Sequence, residues 1–260
     1  MAATTSRRAS EARAITDFFA LHGLPHYSAD ALTDVSRLRQ RNRGRPLVLP
    51  ITKSAFFLVD GRVSEHVQAG KVRLWRELML FESISSTAVL PSTYGEERVN
   101  ANSKNMISGS TLSRCVFVEV PNSKLNALAM SDPAIALMLA RMAAKRHILT
   151  ERLYTASRAT PAARVAAVLN YLAEPTRRNV IRPRSEDGAL VMTTTEELVA
   201  SGPSQADLAD ALCLGRATVE KAIAELRQLK ALKSFGPGER ANRCYPIEDR
   251  DLLRGIALGG

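Results

Sequence analysis

Residues 204–232, S-Q-A-D-L-A-D-A-L-C-L-G-R-A-T-V-E-K-A-I-A-E-L-R-Q-L-K-A-L, constrain the fold of this chain more than any other stretch. Leu208, Ala209, Leu212, Val219, Ile223 and Leu226 fall at the intervals that two short helices turn to one side. Cys213-Leu214-Gly215 is a short link between them, with Gly215 the natural break of the first helix. The second helix opens at Arg216-Ala217-Thr218 and offers Lys221 one turn later, so polar groups line the face opposite the apolar one. Two helices joined by so tight a turn form a helix-turn-helix, whose second helix can enter a DNA major groove. On this reading Arg216 is the first candidate for a guanine contact. Thr218 and Lys221 are candidates for base or phosphate, and Arg227 for the backbone or solvent. Ser204, Gln205 and Ala217, at the starts of the two helices, face the same partner, whereas Val219 and Ile223 belong to the core.

Charge supports a polyanionic partner only in part. The 260 residues include 36 Lys+Arg against 26 Asp+Glu, a formal net charge of +10. Residues 1–156 hold 21 of these cations against 13 acids, and residues 157–260 hold 15 against 13. The half assigned to DNA is therefore the less basic one. What points to nucleic acid is local: Arg216, Lys221, Arg227, Lys230 and Lys233 against Glu220 and Glu225. Cys115, Cys213 and Cys244 lie far apart without ligand spacing, and read as thiols of a reducing cytoplasm with no metal. The first ten residues carry arginines but no apolar run behind them, unlike a secretory signal. No stretch has the length of a membrane span. No Gly-rich phosphate loop, metal constellation or nucleophile–base motif speaks for an enzyme.

Along the chain, residues 1–14 read as a disordered tail. Residues 11–21 form a short amphipathic helix around Ile15, Phe18 and Phe19, ending before Gly23 and Pro25; His22 and His26 flank that break without further metal ligands. Arg37, Arg39, Arg41, Arg43 and Arg45 alternate. In a strand they share one face that can bind an anion or DNA phosphate; in a loop they are a solvated run. From 46 to 121, short apolar runs alternate with turns as in an all-β barrel. The strand candidates are 47–49, 55–59, 62–67, 71–75, 86–90 and 115–120, with Asp60-Gly61 as a hairpin turn.

Asp132-Pro133 opens a helix, a capping aspartate followed by proline at the first position. Behind it Ile135, Leu139, Met142, Arg146, Leu149, Leu153 and Ala156 follow a 4-3 spacing. That is the seam of a paired helix, or of one packed on its own barrel. Residues 157–161 are a hinge and 162–173 a helix. Residues 174–189 read as a polar loop, 189–193 as a short strand and 193–200 as an added helical turn. A β-hairpin around Gly236-Pro237-Gly238 forms a wing whose Lys233, Arg240 and Arg243 can meet flanking phosphates. Residues 248–257 close the chain as a helix.

Asp207-Leu208-Ala209 followed by Gly215-Arg216-Ala217-Thr218-Val219-Glu220-Lys221 resembles the helix-turn-helix of the Crp/Fnr family of bacterial transcription regulators. Cys213 stands where that family usually has its turn glycine, Gly215 where it has serine, Ala217 where it has glutamate and Lys221 where it has arginine. Without the glutamate an acceptor suited to cytosine is missing, so the target need not be the family's common one. F-F-L-V-D-G-R-V from Phe56, Tyr94-Gly95-Glu96 and C-V-F-V-E-V-P from Cys115 resemble the cyclic-nucleotide-binding barrel of the same family. There the glutamate matched by Glu96 holds a ribose hydroxyl, and a later R-x-A-[TS] motif holds the cyclic phosphate. Here Ser108-Gly109-Ser110 stands in that place, so a cyclic phosphate would lack its guanidinium partner.

The resemblance implies an α+β chain: an N-terminal double-stranded β-helix or jelly-roll barrel as sensor (15–131), a long dimerisation helix (132–157) and a C-terminal winged helix-turn-helix (158–260). It implies a homodimer joined through Ile135, Leu139, Met142, Arg146, Leu149 and Leu153. That dimer would read an inverted repeat in double-stranded DNA and contact RNA polymerase. The expected function is a non-enzymatic regulator without a cofactor, responding to an unidentified small-molecule effector or to none. Tyr94, Gly95, Glu96, Ser108 and Ser110 are its ligand-contact candidates. The alternative is a cyclic-nucleotide-gated regulator with a divergent cassette.

Overall fold

The computed structural model describes residues 2–50, 53–67, 71–76, 106–155, 159–183, 190–234 and 243–259. The chain divides into two compact units, Met1–Arg152 and Leu153–Gly260. The first opens with α1 (Ala2–Leu21) and α2 (His26–Val35). The expected disordered tail is thus helical from Ala2 onward. No glycine or proline interrupts the chain before Gly23, and its alanines, arginines and glutamate are good helix formers, so the predicted helix extends backward. Strands β1 (Arg37–Arg41), β2 (Pro46–Pro50), β3 (Ser54–Asp60), β4 (Arg62–His66), β5 (Val72–Arg76), β6 (Met106–Thr111) and β7 (Cys115–Pro121) follow. Then come α3 (Asn122–Ser131) and α4 (Pro133–Thr150), the latter ending in a π-helical turn, Glu151–Thr155.

The strands form two antiparallel sheets, ordered β1-β7-β3 and β2-β6-β4-β5. Among the described residues no strand of one sheet is paired with a strand of the other, so the expected barrel is here two sheets rather than a closed cylinder, bridged where Cys115 Sγ of β7 donates to the Arg62 carbonyl of β4 at 3.2 Å. The strand candidate at 86–90 lies outside the described residues. At the β3–β4 hairpin Gly61 has φ +99°, and a Cβ there would come within 2.3 Å of the Arg114 carbonyl. That turn requires its glycine. Of the alternating arginines, Arg37, Arg39 and Arg41 lie on β1, paired with β7, while Arg43 sits in the following turn.

The core of this unit lies between the β1-β7-β3 sheet and the helices. Ala55, Phe57, Val118 and Val120 meet Phe18, Phe19, Leu32 and Leu125 there. The Phe57 ring stands edge-on to Phe18 and Phe19, with centroids at 6.2 and 5.6 Å. Asp132 caps α4 as its sequence position implies: Oδ1 accepts from the Ala134 amide at 2.9 Å, and Oδ2 accepts from the buried Ser28 hydroxyl of α2 at 2.5 Å.

The heptad seam needs correction. Ile135, Leu139 and Met142 belong to this same core and are 0%, 1% and 3% exposed within the single chain. Their 4-3 spacing reflects packing on the chain's own sheet, so these side chains are not on a face open to a second copy. Leu149 is half-buried and Leu153 buried. Arg146 is buried as well: its Nη2 donates to both oxygens of Glu65, at 2.7 and 2.9 Å. Glu65 also accepts from Trp75 Nε1 at 2.6 Å, and the Arg146 guanidinium lies 5.1 Å from the centroid of the Trp75 ring.

The second unit comprises α5 (Pro161–Leu172), β8 (Ala173–Pro183), β9 (Leu190–Ser201), α6 (Gln205–Leu212), α7 (Arg216–Gln228), β10 (Cys244–Pro246) and α8 (Arg250–Ala257). α5 packs against α6, α7 and α8. Residues 174–183 of the expected loop and the expected helical turn at 193–200 are instead a long antiparallel pair, running from Ala173↔Ala200 to Pro183↔Leu190, while 184–189 lie outside the described residues. Pro175 and Pro183 read as loop residues, but β8 is the outer strand of the order β10-β9-β8, where a missing N–H is tolerated. Thr193, Thr194 and Thr195 are β-branched and favour strand over helix. Among the described residues no single helix is long and apolar enough to cross a membrane.

Candidate nucleic-acid interface

The helix pair read from residues 204–232 is present as α6 and α7. Ser204 starts α6 with a reciprocal cap: its Oγ accepts from the Asp207 amide at 3.2 Å, while its own amide donates to Asp207 Oδ2 at 2.6 Å. Arg243 Nη1 reaches that same carboxylate oxygen at 3.4 Å and the Gly202 carbonyl at 3.2 Å. A residue expected to meet phosphate therefore also braces the start of α6.

The helix stop is displaced by two positions from the one expected. Cys213, at φ 51° and ψ 45°, takes the left-handed conformation that ends α6, while Gly215 is the extended N-cap of α7. The Leu212 carbonyl at this end accepts from Arg164 Nη2 of α5, a cation where the helix dipole favours one. Sequence reasoning missed Arg164 because it lies 48 residues away on another helix.

Leu208, Ala209, Ala211 and Leu212 of α6 and Val219, Ala222, Ile223 and Leu226 of α7 are buried, so the apolar periodicity faces inward as read. Tyr245 of β10 is 1% exposed, and its hydroxyl finds no acceptor among the described residues. Burial first, and then the charge of Asp207, push its pKa far above the ordinary value.

The outward side of α7 carries Arg216, Ala217, Glu220, Lys221, Ala224, Glu225 and Gln228. Arg216 Nε donates to Glu220 Oε1 at 3.1 Å, with the two side chains 70% and 47% exposed. An i,i+4 pair so open to solvent contributes only about 0.3–0.5 kcal/mol, so the guanidinium is easily drawn to a better acceptor. Lys221 makes no ion pair among the described residues. Ala217 and Ala224 keep the face low enough for close approach. Thr218 and Arg227 are half-buried.

Of the expected wing only the flanks are described, where Leu232 and Ile247 form an antiparallel bridge. Its turn and Arg240 lie outside the described residues. Lys233 is bound to Glu197 of β9 at 2.9 Å, so it, like Arg243, is engaged within the fold.

The ligand candidates of the first unit are not brought together by the described residues. Tyr94, Gly95 and Glu96 lie outside them. Ser108 and Ser110 stand in the regular ladder of β6, where Ser110 Oγ is 2.8 Å from Ser64 Oγ of β4. His22 donates from Nδ1 to the Phe18 carbonyl at 2.9 Å, a helix-end contact. Among the described residues no three His, Cys, Asp or Glu side chains are placed to hold a metal ion.

No protein-family model matches this chain, and no curated protein does. Solved structures do match over most of its length. A CRP/FNR-family transcriptional regulator from Thermus thermophilus is 20% identical with a TM-score of 0.51, covering 86% of this chain and 100% of its own. FixK2 from Bradyrhizobium japonicum is 16% identical with a TM-score of 0.51, covering 85% and 97%. A cyclic nucleotide-binding domain containing protein from Listeria monocytogenes is 15% identical with a TM-score of 0.55, covering 92% and 98%. The chain therefore has the fold found in CRP/FNR-family regulators and cyclic nucleotide-binding proteins.

Proposed function

We propose that this chain is a homodimeric, sequence-specific transcription regulator, reading an inverted repeat in DNA through α7 and taking an effector other than a cyclic nucleotide. The observation that carries the reading is α7 itself. Its inner side is locked by Val219, Ala222, Ile223 and Leu226, and its outer side presents Arg216 and Lys221 beside small alanines. In a major groove Arg216 would donate in bidentate fashion to guanine, with Lys221 and Thr218 on neighbouring bases or phosphates. Ser204, Gln205, Arg227 and the wing cations would flank the groove. Two such helices related by a two-fold axis require half-sites about 34 Å apart, one DNA turn.

Because Ile135, Leu139 and Met142 fill the core, we place the dimer contact on the outward side of α4. There Leu137 and Ile148 are 50% and 61% exposed, and Arg141 and Ala144 complete a 4-3-4 spacing. Ile148→Glu is expected to shift the protein toward monomer in sedimentation equilibrium. A location in the cytoplasm and contact with RNA polymerase rest on the family resemblance alone.

The test is selection of bound sequences from a random double-stranded DNA pool, with and without cyclic AMP. An enriched palindrome in the absence of nucleotide supports the reading. Enrichment only with cyclic AMP replaces it by nucleotide gating, and no enrichment in either arm overturns DNA readout by the effector-free protein.

A further inference from the structure

We propose a small-molecule site in the first unit, apart from the ligand candidates named above: a cleft of about 260 Å³ between β1, β2, β3 and β7 that takes a compact apolar monoanion. It goes beyond the regulator reading, which leaves the effector chemically unspecified.

The cleft follows from strand alternation. In the register of β1 against β7, Arg37, Arg39 and Arg41 stand opposite Glu119, Phe117 and Cys115. Paired residues of an antiparallel sheet point to the same side, so these arginines share the face of Phe117 and Glu119. Phe56 of β3, opposite Glu119 from the other edge, lies on that face too. Leu49 of β2 closes the cleft from the second sheet. Phe56, Phe117 and Leu49 are 4%, 1% and 6% exposed and give the cleft an apolar, largely aromatic floor.

Its mouth is cationic by one charge. Arg39 Nε donates to Glu119 Oε2 at 2.6 Å, and Ser54 Oγ donates to Glu119 Oε1 at 3.2 Å, so both carboxylate oxygens are engaged. Arg39 is held through Nε, which leaves its terminal nitrogens without an acceptor among the described residues. Arg41 bonds, among these residues, to the Gln40 carbonyl of its own strand, at 3.1 Å. Two guanidinium groups against one carboxylate leave a single positive charge, which one carboxylate or sulfonate neutralises as a charge-assisted pair. The floor offers nothing to a second charge and favours a ring or branched alkyl group. The volume lies just below the roughly 300–1,000 Å³ usual for ligand pockets, which limits the body to about one ring. Arginines serving only solubility, or only DNA phosphates, would need no aromatic floor beneath them. Glu65, Trp75, Arg146, Ser108 and Ser110 do not line this cleft.

The experiment is calorimetric titration of the full chain with benzoate, beside benzyl alcohol as its neutral counterpart and phenyl phosphate as a dianion. Benzoate should bind saturably, and benzyl alcohol about tenfold more weakly. Arg41→Gln should weaken benzoate about tenfold while leaving benzyl alcohol unchanged. Arg43→Gln, outside the cleft, should change neither. Three outcomes overturn the proposal: no saturable benzoate binding, equal losses in Arg41→Gln and Arg43→Gln, or phenyl phosphate binding more tightly than benzoate. Arg41 is exposed, and unfolding curves of the variants check that they fold. The titrations contain no DNA, so their outcome is separable from that of the sequence selection.

Discussion

Arg146 in the first unit and Arg216 in the second each donate to a glutamate of their own chain, in opposite surroundings. The Arg146–Glu65 side chains are 10% and 2% exposed, with two bonds from one nitrogen and a third bond to the carboxylate from Trp75. Arg216 and Glu220 share one bond in the open. The first pair cannot be given up without stranding a charge away from water, whereas the second can be exchanged for another acceptor at almost no cost. One arginine is committed to holding α4 against the sheet, and the other is available to a partner. The family resemblance implied nearly the reverse for Arg146, which it placed in an interface between subunits.

The comparison breaks first at Glu65. Glu65→Ala should cost about 3–5 kcal/mol in urea unfolding, because the Arg146 charge stays buried without its partner. The double variant Glu65→Leu with Arg146→Met should recover most of that loss; if it does not, the geometry of the pair rather than its charge matters. Arg216→Ala should leave unfolding within about 0.5 kcal/mol of the parent. Yet it should weaken binding to the selected operator by about 1–3 kcal/mol, measured by gel shift against random DNA. Equal losses on both DNAs would make Arg216 a phosphate contact. Ser204→Ala removes the cap of α6 and should destabilise the second unit by about 1 kcal/mol. Cys213→Gly is the smallest: relief of the left-handed conformation outweighs the glycine entropy cost by about 0.5 kcal/mol in favour of the fold. A loss of stability there would mean that the Cys213 side chain contributes packing that its exposure does not suggest.

What the sequence made legible was local. The helix pair, the Asp132 cap, the Asp60-Gly61 turn and five of the strands depend on residues within one or two turns of each other, and their signals lie side by side in the chain. Apolar spacing on α4 marked a face correctly but could not say what that face meets, because a neighbouring sheet and a second copy demand the same periodicity. The meeting of Arg146 with Glu65 and Trp75 gave no signal, being assembled by topology rather than by spacing. The long β8–β9 pair was obscured by prolines that only an outer strand tolerates, and Cys213 by the nearby Gly215, which looked the better helix stop. For the candidate nucleic-acid face, Arg216 and Lys221 were readable as exposed cations. The structural duties of Arg243 and Lys233 were not, since Asp207 and Glu197 lie 36 residues from them.

The pairing of Arg146 with Glu65 spans 81 residues, and that separation sets an order of events during synthesis. At about 5–20 residues per second, a ribosome makes Glu65 roughly 4–16 s before Arg146. Through that interval the carboxylate must remain hydrated, and the core of Phe57, Val118 and Val120, met already by Phe19, Leu32 and Leu125, lacks the part of its cover that Ile135, Leu139 and Met142 later supply. A nascent chain stopped short of α4 therefore leaves that part of its apolar core open to chaperones and to aggregation. The first unit completes its fold only as its last helix leaves the exit tunnel.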